Sequence, residues 1–393
     1  MLVNRLLSAS VAGLVAVVIG FASSAALIYQ TVITLGGDVS LAASWILTLG
    51  LSMGITSIGL SLYYRVPILI AWSTPGAALL ITIGQDFSIN EAIAGFIFSA
   101  LLIFLSGVTG WFEKLINKIP FQLASAMLAG ILVNFGIDVF NQMNKEPLLV
   151  MAMFVTFLVC KQTLPKFTML LVLLSSIVLA WQLELVSFSE LSWQVSEFTY
   201  ISAEFTVEAL LGIGVPLFIV TMAAQNLPGI AVLQAHQYKT PVSSILSVTG
   251  LVNVLTAPFG GYAINLAAIT AAMCMSEEVD KDPDQRYWSA VFAGAFYILM
   301  AISAGYLMAV FSALPSALIY GLAGIALFTT ITNSIGQALI DKRVSEAAII
   351  TFLVTASDIA LWGFSSVLWG LIAGCTTLSI QNTFKKDGIK SLE

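Results

Sequence analysis

The chain has 393 residues, 59% hydrophobic and 9% charged, with a mean hydropathy of +0.99 and a formal net charge of −6. Such values exclude a soluble domain and place the chain in a bilayer, where the length holds a dozen or more spans of roughly 20 apolar residues with short loops. No nucleic-acid partner is expected, and the net charge says less than where the charges fall.

Fourteen hydrophobic segments follow in chain order, at about 11–35, 41–62, 67–84, 91–111, 120–137, 147–160, 166–182, 206–225, 241–257, 263–275, 287–311, 315–335, 344–358 and 363–380. The first opens Met-Leu-Val-Asn-Arg like a signal peptide. Its apolar run continues to Leu35, well past a signal core of roughly 7 to 15 residues, so an uncleaved span is expected. The third segment is broken by Pro67 and then by Ser73-Thr74-Pro75-Gly76; the tenth is preceded by Pro258, Gly260 and Gly261 before helix formers resume. In hydrocarbon an unpaired backbone group costs several kcal/mol, so a broken span is tolerated only where protein, water or a ligand meets the freed groups. Two broken spans at matching places in two halves point to a secondary transporter.

Charge placement tests the count. With a cytoplasmic N-terminus, Arg5, Arg65, Lys114, Lys118, Lys161, Lys166, Lys239, Lys281, Arg286, Lys342, Arg343, Lys385, Lys386 and Lys390 fall on the cytoplasmic side, and of the 15 basic residues Lys145 alone falls outside. The external stretch between segments seven and eight carries Glu184, Glu190, Glu197, Glu204 and Glu208 and no basic residue. Leu-Ala-Gly-Ile recurs at 128–131 and 322–325, Tyr29-Gln30 aligns with Ala224-Gln225, and Pro75 to Leu79 aligns with Asn265 to Ile269, at offsets of 194, 195 and 190. These offsets predict a duplication: residues 1–183 as a first seven-span repeat, 184–205 as an external loop, and 206–393 as a second repeat. An odd number of spans inverts the second copy, so the fold class is an all-α polytopic membrane protein of seven plus seven spans, with spans 3 and 10 discontinuous. Cys160, Cys274 and Cys375 lie in or beside apolar segments without CxxC spacing, as small reduced core residues rather than a disulfide or zinc framework.

Three stretches carry a resemblance: Pro67 to Leu80 (PILIAWSTPGAALL), Thr221 to Gly229 (TMAAQNLPG) and Ala257 to Ala272 (APFGGYAINLAAITAA). In these motifs the chain resembles the bacterial benzoate:proton symporters, relatives in fold of uracil permease and the SulP-type anion transporters, over essentially its whole length. The resemblance implies a core domain of spans 1–4 and 8–11 that carries substrate past a gate domain of spans 5–7 and 12–14. It further implies proton-coupled import of benzoate or a similar aromatic carboxylate across the bacterial inner membrane by an elevator-like movement, with no cofactor and a homodimer as one allowed assembly; the charge placement above puts both termini in the cytoplasm.

The residues themselves suggest where such a ligand sits. Ser73, Thr74, Pro75 and Asn265 stand at the starts of two half-helices, and Ser, Thr and Asn are good N-caps while Pro suits a first turn. A helix N-terminus offers free N–H donors and about half a positive charge, so two such ends facing each other make an anion site without Arg or Lys. Trp72 and Tyr262, with Phe21 and Phe259 near, offer aromatic faces for a flat ring. Gly260 and Gly261 let the chain bend and approach a ligand closely. Gln30, Gln225 and Asn226 are amides in apolar helices, and Ser23 and Ser24 are small polar residues; each also has a bland reading as helix packing. In the nucleobase carriers, as the resemblance has it, span 8 bears a carboxylate near the position of Gln225; an amide there suits an anionic cargo better. The core segments contain no acid or His, which leaves Asp138 and Asp358, at outer span ends, as the nearest proton-coupling candidates against a solvated end-cap role. His236 reads as a surface residue. No metal cluster and no nucleophile with a base is present in the spans, so an enzyme is not expected; a nucleobase or inorganic-anion carrier, or a passive anion channel of the same fold, remains the alternative.

A topological prediction follows. With single cysteines placed in a background lacking the native three, position 197 should react with an impermeant thiol reagent only from outside and position 390 only from inside; the reverse at either position overturns the fourteen-span count.

Overall fold

A computed structural model describes residues 2–110, 121–186, 196–239, 241–357, 359, 361 and 366–390. Asp358 lies outside the described residues, as do Lys114, Lys118 and Glu190. The molecule is predominantly helical: α1 (Leu2–Thr34), α2 (Val39–Tyr64), a short strand β1 (Ile70–Trp72), α3 (Thr74–Ile83), α4 (Ile89–Thr109), α5 (Phe121–Gln142), α6 (Pro147–Thr163) and α7 (Thr168–Gln182) make up the first half. The second half holds α8 (Val207–Ala235), α9 (Val242–Thr256), a second strand β2 (Ile264–Leu266), α10 (Ile269–Cys274), α11 (Tyr287–Ile302), α12 (Ala304–Ala313), α13 (Ser316–Ala338), α14 (Ser345–Ala356) and α15 (Ser366–Lys390). Among the described residues, 8 helices are long and apolar enough to cross a membrane, or 9 with α11 and α12 taken as one span bent by 64°. The one amendment to an all-α class is the pair of strands.

Those strands form where the sequence forbids helix. Pro67 lacks an N–H and pushes the residue before it away from helical angles. The chain runs extended through Ile70, Ala71 and Trp72 until Ser73 caps α3, its Oγ accepting from Gly76 N at 3.0 Å with Pro75 in the first turn. In the second half the turn at Ala257–Phe259 ends on Gly260 at φ 86°, and an extended run leads to α10. β1 and β2 pair antiparallel with Ile70 opposite Leu266, Ala71 opposite Asn265 and Trp72 opposite Ile264. The pairing is extended by Ser73 N donating to Ala263 O at 2.8 Å and Ala267 N donating to Leu69 O at 2.9 Å. α3 and α10 therefore leave the pair in opposite directions.

The two ends of the molecule are held by different contacts. At one end Arg5 Nη2 donates to Asp280 Oδ1 at 2.8 Å, Lys166 pairs with Glu278 at 3.2 Å, and Tyr238 Oη donates to Pro283 O at 3.0 Å. Arg286, buried, donates to Met275 O and Asp280 O at 2.9 and 2.7 Å and so closes the chain behind α10. The Arg5 guanidinium holds the Asp280 carboxyl below its usual range; a lowered carboxylate contributes stability above a pH of about 4 and loses it as the pH falls further. At the far end of α1, Thr199 N donates to Ser44 Oγ at 2.8 Å, Asn90 Nδ2 donates to Ser202 O at 2.8 Å, and Ile201 N donates to Pro258 O at 2.8 Å. The basic residues that the sequence groups together, Arg5, Lys166, Lys281 and Arg286, thus belong to one end.

Beside the chain that leads into β2, Trp45, Tyr262 and Phe96 are among the largest fully buried side chains. The three rings contact one another at centroid separations of 5.6 to 6.3 Å. Gly260 has a left-handed backbone, and a Cβ there would overlap the indole of Trp45. Gly260→Ala therefore meets both a left-handed strain of about 1–2 kcal/mol and overpacking of about 1–3 kcal/mol. It should lower the unfolding temperature of the purified protein by several degrees more than Gly59→Ala, where a Cβ meets nothing within 4 Å; equal shifts would show that the contact is soft.

Candidate functional site

Every polar group of a strand inside a membrane protein needs a partner, and here apolar helices supply them from single side chains. On α2, Ser57 Oγ accepts from Ile70 N at 2.9 Å, and one turn on, Ser61 both accepts from Ile68 N at 3.1 Å and donates to Ile68 O at 3.0 Å. On α9, Asn253 takes both backbone groups of Ile264, donating to its O at 2.9 Å and accepting from its N at 2.8 Å. On α8, Gln225 Nε2 donates to Ala71 O at 3.0 Å and Trp72 O at 3.1 Å. Asn226 accepts from Leu266 N at 3.2 Å and donates to Asn265 Oδ1 at 2.7 Å.

That two consecutive residues both reach the strands has a local cause. Pro228 has no N–H to return to the carbonyl four residues back, and α8 widens into a π turn at Met222–Asn226, where Leu227 N reaches Met222 O. Single π turns shift the helical register, and they recur at functional sites. Pro216 accompanies a second one at Leu210–Gly214.

Trp72 sits at the end of β1, 5% exposed, with its Nε1 donating to Ser24 Oγ at 2.6 Å and Ser24 donating in turn to Gly20 O at 2.8 Å. Phe21 stands beside it with ring centroids 6.1 Å apart and planes at 57°, and turns its other side to Phe311 at 6.1 Å. Trp72, Ser73, Thr74, Pro75, Phe21, Ser24, Gln225, Asn226 and Asn265 are therefore joined in one bonded and packed neighbourhood around the strand pair. No charged side chain lies on β1, β2, α3, α10 or residues 221–230.

Other expected residues are placed differently. Tyr262 is 1% exposed, with its ring against Trp45 and Phe96 and its hydroxyl donating to Ser73 O at 3.0 Å, so the two rings that the sequence pairs sit in separate aromatic groups. Gly260 packs on Trp45, and a Cβ on Gly261 would overlap the Thr256 side chain. Phe259 joins Phe198 and Tyr200 at the end of the molecule, at 5.9 and 5.8 Å. Gln30 follows Ser24 by six residues and Phe21 by nine, which at 3.6 residues per turn rotates it about 120° and 180° away from them; its amide is buried with neither atom bonded. Asp138 lies in the outer part of α5 and accepts from Asn141 Nδ2 at 3.1 Å. His236 Nδ1 lies 2.9 Å from Val232 O, back on its own helix. Among the described residues no group of His, Cys, Asp and Glu is arranged to hold a metal.

Sequence reasoning missed Ser57, Ser61 and Asn253. The signal was present: Ser57 and Ser61 share a helix face at i, i+4, and Asn253 is a lone amide in Gly-Leu-Val-Asn-Val-Leu. It also missed that three buried polar atoms, Gln225 Oε1 and Asn265 Nδ2 of this neighbourhood and Thr221 Oγ1 one turn before Gln225, have no partner among the described residues. Leaving such a group unsatisfied costs about 1–3 kcal/mol, which marks the place where a polar ligand would be welcome.

Two short strands paired between apolar helices, with the capped helix α3 and incompletely bonded amides beside them, characterise this membrane fold. Solved structures share this fold: the transmembrane domain of the cyanobacterial bicarbonate transporter BicA superposes with a TM-score of 0.62 at 14% identity over 94% of this chain and 97% of that one. SLC26A9 superposes with a TM-score of 0.59 at 11% identity, over 95% of this chain and 65% of that one. The benzoate membrane transport protein family matches residues 4–380, and the chain belongs to that family. Among its relatives, inner membrane protein YdcO of Escherichia coli is 43% identical over 371 residues, 94% of this chain and 95% of that protein. The benzoate membrane transport protein of Acinetobacter baylyi is 36% identical over 368 residues, 94% of this chain and 93% of that protein.

Asn253→Ala strands both backbone groups of Ile264 at once, at about 1–3 kcal/mol each. The purified variant should unfold at a clearly lower temperature than Asn253→Asp, which keeps the acceptor for Ile264 N. Equal unfolding temperatures would mean that water replaces the side chain.

Proposed function

We propose that this chain is a secondary transporter that moves benzoate or a similar aromatic carboxylate together with protons across the bacterial inner membrane. The observation that carries the reading is the Thr74 N–H in the first turn of α3 together with Asn265 Nδ2, set beside Trp72, Phe21 and the incompletely bonded amide Gln225. The N–H donors suit a carboxyl group, the rings suit a flat apolar body, and no basic side chain is needed. The family to which the chain belongs, and the name of the Acinetobacter relative, support benzoate as the cargo; the bicarbonate transporter BicA supports anion transport only as a fold.

The same proposal covers topology and movement. Eight long helices, one bent pair, three shorter apolar helices and the two strand-then-helix segments supply fourteen crossings in two inverted sevens. The strand pair and its bonding partners belong to spans 1–4 and 8–11, which form the core; α5 to α7 and α13 to α15 form the gate, past which the core moves in an elevator-like step. Both termini are then cytoplasmic, at the end where Arg5, Lys166 and Arg286 gather. Gly260, Gly261 and Tyr262 serve this site by fixing the chain that leads into β2, and Gln30 and Asp138 stand outside the contact set.

The test is uptake of labelled benzoate into proteoliposomes with and without an inward proton gradient. Accumulation above equilibrium only with the gradient, competed by ring carboxylates and not by uracil or bicarbonate, is expected. Competition by uracil or bicarbonate instead makes it a carrier of the alternative cargo, and flux without accumulation makes it a channel. Trp72→Ala should lower the uptake kcat/KM at least tenfold, about 1.4 kcal/mol; unchanged uptake removes the indole from the site.

A further inference from the structure

Two amide atoms in the site are left over, and they are of opposite kinds. Both hydrogens of Gln225 Nε2 are taken by the carbonyls of Ala71 and Trp72, so the amide cannot turn over without losing both bonds. Its Oε1, on a side chain 7% exposed, is left as a bare acceptor. Asn265, fully buried, accepts at Oδ1 from Asn226 and leaves Nδ2 as a bare donor. The strand register brings the two residues together, because Asn265 lies opposite Ala71, whose carbonyl holds Gln225.

An ionised carboxylate offers acceptors only, whereas a carboxylic acid offers one acceptor and one donor. Against Gln225 Oε1 an anion would meet the negative end of a fixed dipole, while the O–H of an acid would satisfy it. Resting on the benzoate reading above, the geometry points to Gln225 Oε1 as the acceptor for the carboxyl hydrogen of a substrate bound as the neutral acid, so that the transported proton travels on the substrate. The carbonyl oxygen of the same carboxyl group is then met by Asn265 Nδ2 and the Thr74 N–H in the first turn of α3. The O–H bond forms between the carboxylate and a proton from the medium as substrate enters and breaks on release at the other side. No protein group changes its protonation.

The surroundings leave the proton few other carriers. The elements packed against the Gln225 turn are β1, β2, α5 and the flanking turns of α8. The strands and those turns carry no titratable side chain, and α5 carries Asp138 alone, bonded to Asn141. At the end of β1 the Tyr262 phenol keeps its hydrogen on Ser73 O at 3.0 Å.

Calorimetry on the purified full chain decides the matter, with benzoate, benzamide and methyl benzoate between pH 6 and 8 in buffers of different ionisation enthalpy. The neutral fraction of a carboxyl with a pKa near 4 falls about tenfold per pH unit in this range, so the benzoate Kd should rise about tenfold per unit, with about one proton taken up per molecule bound. Benzamide, neutral and bearing the same acceptor-plus-donor face, should bind with a pH-independent Kd and no proton uptake. Methyl benzoate, without the donor, should bind at least tenfold more weakly than benzamide. Gln225→Met, of similar length without the acceptor, should weaken benzamide at least tenfold; if it does not fold, the three ligands on the unaltered protein still decide. Benzoate binding that is independent of pH and takes up no proton overturns the inference and leaves benzoate transport standing, as does proton uptake with benzoate while benzamide fails to bind. Failure of benzoate to bind at every pH overturns the benzoate reading and this inference with it.

Discussion

The structure depends on satisfying the backbone of two short strands where no water is available to do it. An extended segment exposes N–H and C=O groups that a helix would pair internally, and in an apolar interior each unpaired group costs several kcal/mol. Pairing β1 with β2 settles one edge of each. The other edges are met by Ser57 and Ser61 on α2, Asn253 on α9, and Gln225 and Asn226 on α8, so polar side chains in apolar helices are placed by the needs of the strands. Removing any of them costs more than the bond itself, because the backbone group left behind stays buried.

The same constraint shapes the site. A strand pair that turns into α3 at a serine cap leaves the Thr74 N–H at that turn without any cation, and Gln225, held by two strand carbonyls, has a chosen end of its amide left over. The π turn at Met222–Asn226 is part of this arrangement: it costs regular helix geometry and lets adjacent residues serve both strands. Trp72 is anchored through Ser24 to the backbone of α1, so its indole is fixed before any ligand arrives, which spares binding the entropy of ordering a large side chain.

Fold and chemistry separate in the comparisons. BicA and SLC26A9 share the fold at 14% and 11% identity, which carries the scaffold and not the cargo. The family match and the two relatives at 43% and 36% identity bear on this chain's own membership.

By itself the sequence determined the membrane class, from hydropathy and span length, and it marked the stretches at Pro67 and at Pro258, Gly260 and Gly261 as non-helical, because these residues act on their own backbone and need no partner to do so. It also marked Ser73 as a cap and Gln225 and Asn226 as unusual amides, since a polar residue in an apolar run stands out without any knowledge of its neighbours. Only the tertiary structure decided which polar atoms are used up and which are left. Ser57, Ser61 and Asn253 are ordinary until extended chain 13, 7 and 11 residues away meets them, Tyr262 turned from the Trp72 group to Trp45 and Phe96, and Gln30 rotated off the Ser24 face. Hydrogen-bond satisfaction is a property of the packed molecule, set by which groups arrive within about 3 Å of one another, and no local pattern along the chain encodes that arrival.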